Sequence, residues 1–247
     1  MEYVDMKGKT AVIVGATRGI GEAIALRMAK LGMNVAALAR KEEELAALKE
    51  KIEAFGVKCL TIRADITDYD GLGEAYKLVF ETFGRFDLLV NSAGTGVMDP
   101  FEDLSREDID NTIDVNLKGT IYSVRQAYTY LAKTGGGNIL NISSMSAIRG
   151  IPDPVNCNGI YTSTKFAING FTECMQKYLL KYNIRVTALC PGSTATSWWT
   201  RWTHSFGTDE MLPAETLADI AELIVTSPEK VLFKQLQVLP TVETDNF

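Results

Sequence analysis

Short apolar runs alternate along this chain with longer stretches whose apolar positions recur every three or four residues. A short unbroken run fits a strand buried on both faces, and the longer spacing fits one side of a helix. Residues 10–15 (Thr-Ala-Val-Ile-Val-Gly) form such a run and predict a first strand. A helix follows through Ile24, Leu26, Met28 and Leu31, ended by Gly32. Residues 33–39 predict a second strand, 41–55 an amphipathic helix closed by Gly56, and 57–63 a third strand. A helix at 68–83 leads into a fourth strand at 86–90. The helical pattern from 104 to 131 contains Asn116 and Gly119, both unfavourable inside a helix. A polar bond in the core or a functional kink would account for them. A fifth strand at 138–142, a helix at 161–182, a sixth strand at 184–190 and a last strand at about 231–239 complete the pattern.

This alternation predicts an α/β protein. Residues 1–247 would form one domain on a doubly wound parallel sheet of about seven strands, with helices on both faces. In such sheets ligands collect beyond the carboxyl ends of the strands. Gly15, Arg40, Asp65, Asn91, Ser144 and Pro191 all fall at or just after those ends. The first junction reads Gly15-Ala16-Thr17-Arg18-Gly19-Ile20-Gly21, spaced G-x-x-x-G-x-G. Strand, glycine turn and helix in that order offer free N–H groups and a positive dipole end to a phosphate. Arg40 follows the second strand, where an arginine accommodates a ribose 2′-phosphate and a carboxylate would bind the 2′-hydroxyl. Arg18 lies in the glycine turn, so two guanidinium groups converge on one corner and favour NADP(H). The bland alternative pairs Arg40 with Glu43 or Glu44 at a helix start. Asp65 either meets an adenine edge or serves as a cap.

Composition narrows the partners. A net charge of −6 with no lysine/arginine stripe speaks against nucleic acid. No stretch of 18 apolar residues suggests a membrane span, and the acidic start (Met1-Glu2-Tyr3-Val4-Asp5) is unlike a signal peptide. Cys59, Cys157, Cys174 and Cys190 show no paired spacing, which predicts free thiols in a reducing, cytoplasmic setting. His204 is the only histidine, which argues against a Ser-His-Asp triad or a His/Cys metal cluster. No metal is expected.

One stretch carries acid–base chemistry. In Tyr161-Thr162-Ser163-Thr164-Lys165 a helix would stack a phenol and an ammonium one turn apart. Moving a phenol from ~10 to neutrality takes about 3 pKa units, roughly 4 kcal/mol. One cation about 4 Å away at an effective dielectric near ~20 supplies a similar amount.

Gly15-x-x-x-Gly19-Ile20-Gly21, Asn91-Ser92-Ala93-Gly94, Asn116, Ser143-Ser144, Tyr161-x-x-x-Lys165 and Pro191-Gly192 follow one another in this order. Together they resemble the short-chain dehydrogenases/reductases, over about residues 8 to 196. The resemblance implies a one-domain Rossmann fold that transfers hydride between a nicotinamide and a carbonyl or alcohol carbon. By motif position Tyr161 would protonate the carbonyl oxygen, and Lys165 would lower its pKa and hold the nicotinamide ribose. Ser144 would hydrogen-bond the carbonyl oxygen, and Asn116 would support a proton-relay water. Gly15, Thr17, Arg18, Gly19, Ile20, Arg40, Asp65, Ile66, Asn91, Ala93, Gly94, Tyr161, Lys165, Pro191 and Gly192 form the implied cofactor-binding set. Thr194 and Thr196 would join it at the carboxamide end.

Three places depart from the family pattern. Val14 stands where threonine is usual, costing one turn hydrogen bond, and Ser92 replaces an asparagine. The segment between Ser144 and Tyr161 is longer than common, with Pro152, Pro154 and Gly159, and would form a wall or flap. The ending, Lys234 to Thr241 and an acidic tip, resembles the branch of 3-hydroxy acid dehydrogenases and broad carbonyl reductases. Residues 193–213, with Trp198, Trp199, Trp202, His204 and Phe206, would be a substrate lid offering apolar contact area. Packing between subunits is the competing role for the tryptophans. Val97, Met98 and Met145 are further pocket candidates.

The expected activity is NADPH-dependent reduction of a ketone or aldehyde, reversible as secondary-alcohol oxidation, on a small-molecule carbonyl or alcohol that is bulky or apolar. A reductase of carrier-bound 3-oxoacyl thioesters and a non-catalytic NADP(H) sensor are the rivals. The resemblance further implies a homotetramer or homodimer, built through the helices holding Asn116 and Tyr161 and the last strand.

Overall fold

The computed structural model describes residues 3–150, 157–201 and 207–246. Its centre is a seven-stranded, all-parallel sheet in the order β3-β2-β1-β4-β5-β6-β9. The strands are β1 Thr10–Val14, β2 Asn34–Ala39, β3 Cys59–Arg63, β4 Leu88–Asn91, β5 Gly137–Ile142, β6 Ile184–Pro191 and β9 Gln235–Val238. A two-stranded parallel pair, β7 Thr194–Ala195 and β8 Leu212–Pro213, sits apart from it. After β3 the chain returns to the sheet centre and lays β4 beside β1. That reversal of strand order opens the crevice where such folds bind ligands.

Strand side chains alternate between two cores, as a period of two requires. Ala11, Ile13, Val35, Ala37, Leu88 and Val90 face one core with α1 (Gly19–Lys30) and α2 (Glu42–Glu53). Val12, Val14, Ala36, Leu38 and Leu89 face the other with α3 (Tyr69–Phe83) and α5 (Gly119–Thr134). Both faces being apolar explains why the strands read as unbroken apolar runs. The first core also holds α7 (Ala214–Thr226), an element the sequence pattern above did not single out. Its Leu217, Ala218, Ala221, Ile224 and Val225 face α1, and Arg27 of α1 binds Glu222 at 2.8 Å and also Asp219.

The long helical pattern resolves into three pieces. Ser105 starts α4 (Arg106–Ile113) with a reciprocal capping box to Asp108, its oxygen accepting the Asp108 N–H at 3.1 Å. A five-residue π segment, Asp114–Lys118, comes next and α5 continues to Thr134. The last strand is shorter than expected. Residues 231–234 stay irregular, their carbonyls engaged by side chains: Val231 accepts the Arg185 guanidinium at 2.8 Å, Phe233 the Thr187 hydroxyl at 2.7 Å and Lys234 the Gln176 amide at 2.6 Å.

Candidate active site

The turn after β1 depends on approaches that only glycine allows. Gly15 has φ +82°, and a Cβ there would lie 2.6 Å from the Ala93 nitrogen beyond β4. The turn therefore rests on the Ser92–Ala93 backbone. The Ser92 N–H donates to the Val14 carbonyl at 2.9 Å, a backbone tie that holds with valine at position 14. α1 begins at Gly19, and Arg18 at its N-cap supplies no side-chain acceptor to the first turn. Uncapped N–H groups at the positive end of a 12-residue helix suit a phosphate. A Cβ on Gly19 would lie 3.1 Å from Thr196 Cγ2, so the stretch after β6 closes over the same turn.

Asn116 sits in the π segment, buried, and makes the polar core bonds expected of a mid-helix asparagine. Its Oδ1 accepts the Thr95 N–H at 2.8 Å, and its Nδ2 donates to the Thr95 carbonyl at 2.8 Å and to Thr164 Oγ1 at 3.1 Å. The widened turn frees the Asn116 carbonyl for the Thr120 hydroxyl at 2.8 Å. Asn116 thereby ties the stretch after β4 to α6 (Gly159–Leu179), which carries Tyr161 and Lys165 one turn apart. Lys165 is 7 % exposed; its Nζ donates to the Ile142 carbonyl at 2.9 Å and lies 5.5 Å from the centroid of the Tyr161 ring. Ser144 begins a short turn, its Oγ accepting the Ser146 N–H at 3.1 Å, and it hydrogen-bonds Tyr161.

Asn116 and Lys165 both lie beside Gly94 after β4, and Ser144 meets Tyr161 one turn from Lys165. Residues 9–205 match the family model described as short chain dehydrogenase. The chain belongs to the short-chain dehydrogenase family. An oxidoreductase of Staphylococcus epidermidis, itself described as uncharacterized, is 32 % identical over 235 residues, covering 95 % of this chain and 98 % of that one. An alcohol dehydrogenase from the archaeon Thermococcus sibiricus, solved with 5-hydroxy-NADP, superposes with a TM-score of 0.85 at 28 % identity (94 % and 97 % covered). A metagenomic short-chain oxidoreductase solved with NADP gives 0.82 at 28 % identity (96 % and 99 % covered). This dehydrogenase is accordingly an oxidoreductase of the type that acts on CH–OH groups. The glycine cradle, the open helix end and the Thr196 wall fit a nicotinamide dinucleotide.

Burial sets the electrostatics of the site's phenol and ammonium. Burial pushes the Tyr161 phenol up to about 12, only partly offset by its hydrogen bond with Ser144. The same burial pushes Lys165 down to about 8. Desolvation is the largest cause for both, and it moves both groups toward their uncharged forms.

Other expected residues divide by where they sit. Arg18 and Arg40 are both exposed, and Arg40 makes no ion pair among the described residues. Glu44 takes Lys41 at 2.7 Å and the Thr17 hydroxyl at 2.8 Å, so the pairing with Arg40 is not formed. Those two bonds, helped by the nearby Arg18 charge, hold the Glu44 carboxyl below the usual range. Asp65 closes a local turn, accepting the Thr67 N–H at 2.9 Å and its hydroxyl at 2.8 Å. Ile66 is buried against Gly119, where a Cβ would lie 2.8 Å from Ile66 Cγ2. Asn91 is also turned inward. It accepts Ser123 Oγ at 2.5 Å and donates to Asn141 at 2.8 Å, so its side chain serves the core. Met145 is buried with Ala188 and Cys190 instead of lining a pocket. Val97, Met98 and Trp199 are half-buried, and Gly94 lies near Asn116 and Lys165. Pro191 ends β6, and Thr194 donates to the Gly192 carbonyl at 3.0 Å. Pro152, Pro154, Trp202, His204 and Phe206 lie outside the described residues.

Trp198 packs on the Tyr161 ring, centroids 5.5 Å apart at 47°. Gly96 makes room for both, since a Cβ there would lie 3.1 Å from each ring. Sequence reading missed Gly96, Thr95, Thr164 and the Ile142 carbonyl. Gly96 follows the Asn-Ser-Ala-Gly run by only two residues and was open to notice; the backbone partners leave no mark in the residue types.

Proposed function

We propose that this dehydrogenase reduces a ketone or aldehyde with NADPH, and runs in reverse as a secondary-alcohol dehydrogenase. The observation that carries it is the meeting of half-buried Ser144 and Tyr161 with buried Lys165, with Asn116 tying the stretch after β4 to α6. The nicotinamide, when bound, supplies or accepts the hydride. Tyr161 stays protonated at neutral pH because of its burial, the state a proton donor to a forming alkoxide must have. Ser144 shares a hydrogen bond with that phenol and orients the carbonyl oxygen beside it. Lys165 still carries its proton at neutral pH and stabilises the phenolate left after transfer. Trp198 against Tyr161 and Gly96 gives the substrate side an aromatic wall, which favours an apolar or bulky carbonyl.

Two features favour NADPH. Arg18 and Arg40 are exposed cations at the turn after β1 and the end of β2. Two solved relatives carry NADP or its 5-hydroxy derivative. Residues 193–213 serve as the lid of this reading, and free cysteines support a cytoplasmic setting. Phe166, 44 % exposed beside Lys165 on α6, supports self-association through that helix.

Initial rates of NADPH oxidation with a panel of diverse carbonyls test the activity. Tyr161→Phe should keep NADPH affinity, read by fluorescence titration, while turnover falls about 10²–10⁴-fold; normal turnover would overturn the assignment. Arg40→Asp should move preference toward NADH, and unchanged NADPH selectivity would show that the discrimination lies elsewhere.

A further inference from the structure

The stretch after β6 is held from a place the family motif does not include. Ser193 is buried (8 % exposed), so its N–H needs an acceptor inside the protein. It finds one 50 residues downstream, donating to Glu243 Oε1 at 3.0 Å. The other Glu243 oxygen presses on Gly192. A Cβ on Gly192 would collide with that oxygen and lie 3.0 Å from Pro240 Cδ. The Gly192 N–H donates to the Val238 carbonyl at 2.7 Å. The Ser193 carbonyl accepts the Leu212 N–H at 3.0 Å, which starts the β7–β8 pair. Both faces of the Ser193 peptide are thus engaged, one by the C-terminal tail and one by β8. Three residues on, Thr196 lies against Gly19 of the glycine turn.

The geometry points to Glu243 as a positioning residue for the segment 192–196, and through it for the carboxamide end of the cofactor site. The inference rests on the proposed reading of that segment as the carboxamide end. Gly192 is then required for the tail's carboxylate as much as for any ligand. Glu243 touches no reacting atom; it fixes the height at which Thr194 and Thr196 stand over the turn after β1.

The test compares Glu243→Ala and Glu243→Gln with Val242→Ala, an exposed neighbour in the tail. The first readout needs no cofactor: hydrogen exchange of the Ser193 amide in the free protein. Exchange should quicken in Glu243→Ala, stay near wild type in Glu243→Gln, whose amide oxygen can still accept, and not change in Val242→Ala. The second readout is NADPH affinity, followed by emission of Trp198, Trp199 and Trp202, the chain's three tryptophans, all just past this segment. Affinity should fall about tenfold in Glu243→Ala, the loss expected for a bond to a charged acceptor, with Glu243→Gln restoring most of it. In turnover the KM for NADPH should rise while kcat holds within about twofold. Unchanged Ser193 exchange in Glu243→Ala would overturn the bond. Faster exchange with unchanged NADPH affinity would overturn the positioning role. If the wild type bound NADPH but reduced no carbonyl, the activity reading would fail while exchange and affinity still judged Glu243.

Discussion

Tyr161 and Lys165 move in opposite directions on the pH scale for one reason, loss of water. The phenol is pushed up to about 12 and the ammonium down to about 8. A depressed lysine leaves the folded chain with fewer bound protons than the unfolded chain between about 8 and the ordinary value near ~10.4. The stability linked to Lys165 is therefore present above that window and lost as pH falls through about 8. Urea titrations of wild type and Lys165→Met across pH 7.5 to 10.5 check this. Wild-type stability should gain on the variant as pH rises, and a constant difference would mean that Lys165 is not desolvated. The spacing of Tyr161 and Lys165 was legible from residue types alone. The direction of the phenol's shift was not, because it depends on how much water Trp198, Gly96 and Ser144 exclude, and those distances are not written in a four-residue period.

Among the elements, a buried polar chain fixes the helices to the sheet behind the site. Tyr76 of α3 bonds Ser123 of α5 at 2.6 Å, and Ser123 donates to Asn91 of β4 at 2.5 Å. Asn91 donates to Asn141 of β5 at 2.8 Å, and Asn141 donates to Thr172 of α6 at 2.9 Å. Asn141→Leu would break both of its bonds and leave Asn91 and Thr172 each short of a partner. The expected cost is about 2–4 kcal/mol, read as a drop in Tm of roughly 5–10 °C by calorimetry. A drop under about 2 °C would show that water replaces the missing amide. Strands and most helices were legible because both sheet faces are apolar and the glycine stops are explicit, as at Gly32 and Gly56. The final strand was overdrawn because the sequence hides the Arg185, Thr187 and Gln176 side chains that engage the carbonyls of Val231, Phe233 and Lys234. Asn91 looked like a ligand contact by motif position, but its partners lie 32 and 50 residues away, beyond any local pattern.

Over the whole molecule, the parallel sheet brings the strand ends that carry the motifs to one rim, where the sequence placed the candidate site. Sequence placed parts of the candidate site in early and late segments of the chain but not the contacts between them. Gly19 belongs to the first βα turn, whereas the Thr196 methyl that meets it comes after β6, and Glu243 later still. The proposed dinucleotide seat is therefore incomplete in a growing polypeptide until its final fifth has left the ribosome's exit channel. Added NADPH should leave the protease sensitivity of nascent chains ending before residue 190 unchanged and protect only the finished product. Protection of the shorter chains would mean that the glycine turn grips the cofactor unaided.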